Sequence, residues 1–177
     1  MARQPQHRNE DPAATHARLS AAALASHANA CAAADAFLAG GAAPDPERMP
    51  PDLALTGSGA DRAAVIGNDT PDERRFTSRE ALREYVRTFF VMTLTVRRNG
   101  WTAPDPADPR IQPDTARLLL HPGNPLVDIV ARIGMDGSLD APQLRYDDEH
   151  GRMQRFDHDI HELDEQGVPW VASLFTI

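Results

Sequence analysis

The strongest structural signal in the chain is the segment FTSREALREYVRTFF, residues 76–90. Thr77 and Glu80 have the spacing of a capping box, in which each side chain binds a free backbone N–H group at the start of a helix. Apolar residues follow at helical spacing: Leu82, Tyr85, Val86, Phe89 and Phe90. This pattern predicts an amphipathic helix over residues 78–90 with one face in a core.

A second stripe on the same predicted helix consists of Arg79, Arg83 and Arg87. It has two interpretations, an anion- or partner-binding surface and a solvated face beside Glu80 and Glu84. Charge stripes with opposite charges nearby usually face solvent, so we predict a solvated face. All 18 basic residues of the chain are arginine, which we attribute to genomic base composition.

The sequence before this segment predicts a mobile tail and one long helix. Residues 1–10 have no apolar period, and the Asp-Pro pair at 11–12 is typical of a helix start. Alanine, the best helix former, dominates up to Leu38, and the Gly-Gly pair at 40–41 ends the helix. Cys31 lies on the apolar stripe of this helix, so we interpret it as a packed structural thiol.

Residues 42–75 are rich in proline, glycine and aspartate and predict an irregular connection with one short strand at 53–56. After residue 90, β-branched runs separated by turn signals predict antiparallel strands at 91–96, 116–121, 125–133, 143–146, 153–160 and 169–177. Helices followed by strands are typical of an α+β fold, here a single domain over residues 11–177.

Charge and composition disfavour several classes of protein. The net charge is −8, and residues 136–165 hold ten Asp or Glu against three Arg, so we expect no nucleic-acid partner. No run approaches the roughly 20 apolar residues of a membrane-spanning helix. The alanine-rich run at 19–31 follows a long polar stretch, unlike a signal peptide. We therefore expect a soluble, cytoplasmic protein that does not bind membranes.

The segment RFDHDIHEL, residues 155–163, invites interpretation as a metal site. In a strand, alternate side chains point to opposite faces, so His158 and His161 diverge and we predict no metal site. Burial of Phe156 and Ile160 turns His158 inward, whereas His161 and the two aspartates face solvent. His158 is therefore the site candidate in this segment.

The same alternation on strand 125–133 places Val127 and Ile129 inward and sends Asp128 and Arg132 outward. Aromatic residues with one polar end suit either a core or a ligand pocket. Those that we expect to face inward on other elements are Tyr85, Tyr146 and Trp170.

In order and spacing, residues 15–165 resemble the NTF2-like superfamily, particularly its SnoaL-like branch. FTSREAL at 76–82 is similar to the family phrase F-x-G-R-E-A-L, with Ser78 in place of the usual glycine. RYDDEHGRM at 145–153 is similar to a late hairpin phrase, R-F-D-x-x-G-R-I, with Met153 where isoleucine is common. The resemblance implies a cone-shaped, curved antiparallel sheet, N-terminal helices that cover its concave face, an internal apolar pocket and a homodimer.

Members of this superfamily include enzymes and noncatalytic modules, so the fold gives no reaction. We predict a protein that binds a small apolar metabolite, or a cofactor-independent cyclase, isomerase or dehydratase, without cofactor or metal. His158 is its expected general acid–base, Tyr85 or Tyr146 donates a hydrogen bond to an oxyanion, and Trp170 and Phe156 line the pocket. The alternative is a noncatalytic interaction module that docks a basic partner on the acidic surface.

Overall fold

The computed structural model describes residues 12–67, 74–89, 91–95, 97–98, 101–102, 115–121, 127–147, 153–155 and 164–175. Within these residues the protein has an α+β fold with antiparallel sheets. Its helices are α1 (Pro12–Leu38), α2 (Arg79–Phe89) and α3 (Asp164–Ser173). The predicted mobile tail, residues 1–10, lies outside the described residues.

A small sheet lies between α1 and α2 in the chain. It consists of β1 (Leu53–Thr56), β2 (Ala63–Ile66) and β3 (Arg74–Phe76), paired antiparallel in that order. The sequence predicted only the first strand. The other two are three or four residues long and lie among turn-forming residues, so neither shows a long alternating pattern.

The chain after α2 forms strands β4 (Val91–Thr95), β5 (Arg97–Arg98), β6 (Trp101–Thr102), β7 (Thr115–His121), β8 (Val127–Ile133), β9 (Leu139–Asp147) and β10 (Met153–Arg155). Strands β5 and β6 pair with each other, and the remaining five form the main sheet in the order β10-β9-β8-β7-β4. Every pairing is antiparallel, as predicted, and β8 is the central strand.

The last helix corrects the sequence analysis, which assigned residues 169–177 to a strand. The backbone N–H of Gly167 donates to Asn29 Oδ1 on α1 at 2.9 Å. A Cβ atom at Gly167 would lie 2.2 Å from the same oxygen, so glycine permits this close helix packing. This packing overrides the strand propensity of the aromatic and β-branched residues.

Helix α1 ends as the sequence predicted. Gly40 has a φ of +100°, and its N–H donates to Phe37 O at 3.0 Å. The N–H of Gly41 donates to Ala36 O at 3.0 Å, which completes a Schellman motif. Arg62, just before β2, donates to the carbonyl oxygen of Gly41 at 2.6 Å and so fixes the small sheet to the end of the helix.

Helix α2 begins one residue later than the capping box predicted. Ser78 is the capping residue, because its Oγ accepts a hydrogen bond from the Ala81 N–H at 3.2 Å. The apolar stripe is oriented as expected at Leu82 and Val86, which are fully buried, and at Tyr85, which is half-buried. Phe89, which was also expected to face the core, is 37 % exposed.

One face of the main sheet is apolar and buried. Its core residues are Ala116, Leu118, Val127, Ile129, Ala131 and Leu144. Helices α1 and α3 both contact β8 and β9, and α1 contributes small side chains such as Ala28, Cys31 and Ala34 to the core.

The opposite face of β8 corrects the prediction for Asp128. This residue was expected to point outward into solvent, but it is fully buried. Arg117 on β7 donates to Asp128 Oδ2, and Arg145 lies directly opposite on β9 with its Nε 3.5 Å from Oδ1. The two long side chains cover the carboxylate, whereas Arg132 is exposed as predicted.

Candidate functional site

The structure separates the predicted site residues. Tyr85 lines a cavity between α1, α2 and the small sheet, whereas Trp170 lines a different cavity between α1 and α3. Tyr146 lies in β9 opposite Val127 of β8, and its side chain lies outside the described part of the structure. His158 and Phe156 also lie outside the described residues, so their predicted roles stay predictions.

The Tyr85 cavity has a volume of about 410 Å³, which falls within the range of small-molecule sites. Its lining combines four titratable or charged groups with apolar and aromatic surface: His27, Asp52, Ile66, Gly67, Arg74, Tyr85 and Phe89. Helices α1 and α2 supply one wall, and the small sheet with its flanking residues supplies the other.

The central contact of this cavity is a hydrogen bond between Tyr85 Oη and His27 Nε2, at 3.1 Å. The distance does not fix the donor, because the Tyr85 hydroxyl donates to a bare Nε2 in one tautomer and accepts from Nε2–H in the other. Cys31 lies one turn further along α1, with its Sγ 3.7 Å from the same nitrogen. Nε2 of His27 therefore faces a hydroxyl and a thiol.

Aromatic rings hold this pair in place. The ring of Tyr85 lies edge-on to that of His27, with centroids 5.9 Å apart. Phe76 and Phe89 contact Tyr85 at centroid distances of 5.3 and 5.8 Å, and Phe89 also contacts His27 at 5.1 Å. These contacts restrict the orientation of both polar side chains and give the cavity an apolar, aromatic wall.

The electrostatic environment keeps His27 neutral at pH 7. Burial lowers the pKa of His27 below its ordinary value, and the negative charge of Asp52 opposes that shift only in part. Burial also raises the pKa of the Cys31 thiol to about 12, so the sulfur stays protonated. A neutral imidazole can accept a proton, whereas a thiol of this kind is a poor nucleophile.

One cation borders the cavity. The guanidinium carbon of Arg74 lies 5.3 Å from the centroid of the Tyr85 ring, in a cation–π contact. The Arg74 side chain is exposed, and within the described ranges it has no carboxylate in salt-bridge contact. The cavity therefore has a positive group at Arg74 and a negative group at Asp52.

The second cavity has a volume of about 390 Å³ and a floor of α1 alanines. Trp170 Nε1 donates to Asp35 Oδ2 at 3.4 Å on its wall. Asp35 also accepts four hydrogen bonds from Arg79 and Arg83 of α2, at 2.9–3.1 Å. The arginine stripe predicted to be solvated is thus partly an ion-pair surface between two helices. Arg87 has one of the expected acidic neighbours, with Glu84 at 3.9 Å.

The part of the chain that the structure describes contains neither a cluster of metal ligands nor a membrane-spanning helix. No three His, Cys, Asp or Glu residues there lie close enough together to hold a metal ion. No helix in those same ranges combines the length and the apolar character needed to cross a bilayer.

Sequence reasoning did not find His27, which lies within the alanine-rich run at 19–31. A signal was present, since His27 and Cys31 are four residues apart and share one helix face. Its partner Tyr85 is 58 residues away, and that pairing requires the tertiary structure. The chain matches no protein-family model, no curated protein and no solved structure.

Proposed function

We propose that the protein binds a small, largely apolar carbonyl compound in the cavity of His27 and Tyr85 and catalyses a cofactor-independent proton transfer of the isomerase or cyclase type. The observation that carries this proposal is the 3.1 Å hydrogen bond between Tyr85 Oη and His27 Nε2 on the wall of a 410 Å³ cavity. A base and a hydroxyl donor at one small-molecule cavity are the groups that enolisation needs.

In this proposal His27 is the general base. Nδ1 makes no hydrogen bond within the described residues, so it is the nitrogen left for a ligand. With the ring proton on Nε2, the imidazole donates to Tyr85 Oη and keeps a lone pair on Nδ1. The hydroxyl proton of Tyr85 is then directed to the carbonyl oxygen of the substrate.

The reaction begins when Nδ1 removes a proton from the carbon beside the carbonyl group. The electrons of that C–H bond form the enolate, whose oxygen accepts the Tyr85 hydrogen bond. The new imidazolium donates more strongly to Tyr85 Oη and so strengthens that hydrogen bond. Return of the proton to a different carbon gives an isomer. Attack of the enolate carbon on a second carbonyl forms a C–C bond and a ring, and the imidazolium then protonates the resulting alkoxide.

Asp52 has a supporting role. Its negative charge raises the pKa of His27, against the larger effect of burial. A carboxylate at this cavity therefore stabilises the imidazolium formed during proton transfer without keeping the resting imidazole protonated.

The NTF2-like assignment, the cone-shaped sheet, the homodimer and the cytoplasmic location belong to the same proposal. A long helix, a second helix with a side-chain cap and an antiparallel meander, in that order, support it. The general base moves from the predicted His158 to His27, because only His27 is described beside a cavity and a hydroxyl donor.

The test is exchange of hydrogen for deuterium beside the carbonyl group of small cyclic ketones and lactones, followed by NMR in heavy water. This reaction reports enolate formation even when the natural product is unknown. We expect His27→Gln to slow the exchange about 100-fold and Tyr85→Phe about 10-fold. His16→Gln is the matched control, because His16 is an exposed histidine on the same helix. No exchange with the wild type, or equal loss in the control, would contradict the proposal.

The pH profile provides a second test. Because the pKa of His27 is lowered from 6.5, the exchange rate should rise with pH below 6.5 and be level above it. His27→Gln should remove this rise. If no ketone or lactone binds and none of these variants changes any ligand signal, the alternative of an interaction module on the acidic surface is preferred.

A further inference from the structure

We infer that the substrate carries a carboxylate group, and that Arg74 is the residue that selects for it. This inference rests on the proposed function and adds a substrate class to it: small cyclic or aromatic carbonyl acids. Arg74 belongs to β3, at the side of the cavity opposite α1.

The position of Arg74 is the first observation. Its guanidinium group lies over the Tyr85 ring, 5.3 Å from the centroid, and the hydroxyl of that ring binds His27. A guanidinium group stacked on an aromatic face keeps its N–H edge available for a bidentate bond to a carboxylate. A carboxylate bound there lies beside the phenol that receives the substrate carbonyl oxygen.

The second observation concerns the salt bridges of the arginines. Arg79 and Arg83 share Asp35, and Arg117 and Arg145 share Asp128. Arg74, in contrast, has no salt-bridge partner within the ranges that the structure describes. A cation that an aromatic ring fixes at the edge of a cavity is suited to bind an anionic group of the ligand.

The charges of the cavity are also arranged for such a substrate. Asp52 acts electrostatically on His27, the group that gains a positive charge in the reaction. Arg74 contacts Tyr85, the group that faces the developing negative charge. A carboxylate directed to Arg74 therefore binds at the positive side of the cavity and orients the carbonyl oxygen toward the Tyr85 hydroxyl.

The experiment compares carbonyl acids with their methyl esters, which keep the ring and the ketone but lose the negative charge. Binding is measured by titration calorimetry and exchange by NMR, for wild type, Arg74→Gln, Arg74→Lys and Arg75→Gln. Arg75 is the matched control, because it is the next residue of β3, is also exposed and does not line the cavity.

We expect the wild type to bind the acid about 30-fold more tightly than the ester, since charge-assisted bidentate bonds are strong. Arg74→Gln should weaken binding of the acid far more than binding of the ester and so abolish this preference, and Arg74→Lys should restore a part of it. Arg75→Gln should behave as the wild type. The melting temperature of each variant verifies that it is folded.

The outcomes separate the two proposals. If the wild type exchanges ketones, acids and esters equally well and Arg74→Gln changes none of them, Arg74 does not select a carboxylate, and the proton-transfer function stands. If no acid, ester or ketone binds or exchanges, the proposed function itself fails. Equal losses in the Arg74 and Arg75 variants would also overturn the selective role of Arg74.

Discussion

Two buried aspartates, Asp35 and Asp128, each lie between two arginines, yet the two clusters differ in geometry. Both oxygens of Asp35 accept hydrogen bonds from Arg79 and Arg83, at 2.9–3.1 Å. Among the residues that the structure describes, Asp128 accepts a hydrogen bond at Oδ2, from Arg117, and its Oδ1 accepts none. Each arginine is about one third exposed, whereas both carboxylates are at most 6 % exposed.

The difference follows from what each cluster connects. Asp35 joins α1 to α2, two elements that share no backbone hydrogen bonds, so side chains must fix their relative position. Asp128 joins β7, β8 and β9, whose backbone ladders already hold the strands in register. The Asp35 cluster, which determines how two helices pack, therefore has complete hydrogen bonding. The Asp128 cluster has incomplete hydrogen bonding, because the backbone of the sheet already determines its geometry.

The largest effect should come from Asp35→Asn. This change removes the charge that holds two guanidinium groups, and we expect a loss of about 3 kcal/mol in the free energy of unfolding. Denaturant unfolding measures it. Glu84→Gln is the control, because Glu84 is 70 % exposed and 3.9 Å from Arg87, and it should cost less than about 0.5 kcal/mol. Equal losses in the two variants would remove the distinction between buried and surface pairs.

A smaller effect is expected for Asp128→Asn, about 1.5 kcal/mol by the same measurement. The strands stay paired through their backbone hydrogen bonds, and the charged hydrogen bond that is weakened is the one from Arg117 to Oδ2. A loss greater than that of Asp35→Asn would show that burial of the carboxylate, and not the completeness of its hydrogen bonds, determines the cost.

Replacing one arginine by lysine should lower the free energy of unfolding more in the Asp35 cluster than in the Asp128 cluster. Arg83 donates through Nε and Nη2 to both oxygens of Asp35, and lysine cannot reproduce that fork. We expect Arg83→Lys to cost about 1 kcal/mol. Arg145 Nε makes no hydrogen bond to any residue that the structure describes, so Arg145→Lys should cost less than about 0.5 kcal/mol. Similar losses of stability in Arg83→Lys and Arg145→Lys would contradict the difference in hydrogen-bond geometry between the two clusters.

The smallest effect is the acid dependence of stability. Burial of Asp35 raises its pKa, but the hydrogen bonds and charges of Arg79 and Arg83 outweigh it and bring the pKa below 3.8. As the pH falls, the Asp35 carboxylate is therefore protonated in the unfolded chain before it is protonated in the folded protein. The stabilisation that the charged carboxylate gives is complete above the pKa of the unfolded state and is lost as the pH falls through the pKa of the folded state. The difference in unfolding free energy between wild type and Asp35→Asn should be constant from pH 5 to 7 and decrease below about pH 4. A difference that does not change with pH would refute this linkage.

Local chemistry made much of the fold predictable from the sequence. The alanine run with its terminal glycine pair defined α1, the apolar period from Leu82 to Phe89 defined α2, and turn signals such as the glycine at 137 separated the antiparallel strands. Each of these features depends on neighbours within a few residues. The end of the chain was misassigned because the helical state of residues 164–173 depends on close packing at Gly167, which no local pattern contains.

The candidate site was much less predictable. Tyr85 was found because it lies on an apolar helix face, but its hydrogen-bond partner His27 comes from a helix 58 residues away. The sequence predicted the correct face of β8 for the Asp128 side chain but the wrong solvent exposure. Alternation along a strand predicts the face on which a side chain lies, but it cannot show that two arginines cover that side chain.

The hydrogen bond between Asn29 and Gly167 has a consequence for the order of folding. It joins positions 138 residues apart, so α1 completes its packing against α3 only when the two ends of a very long stretch of chain meet. The strands between them form from neighbouring segments, whereas docking of α3 on α1 requires closure of a very long loop. Substitutions at Gly167 should therefore act mainly on a late step of folding and leave the earlier collapse of the meander unchanged.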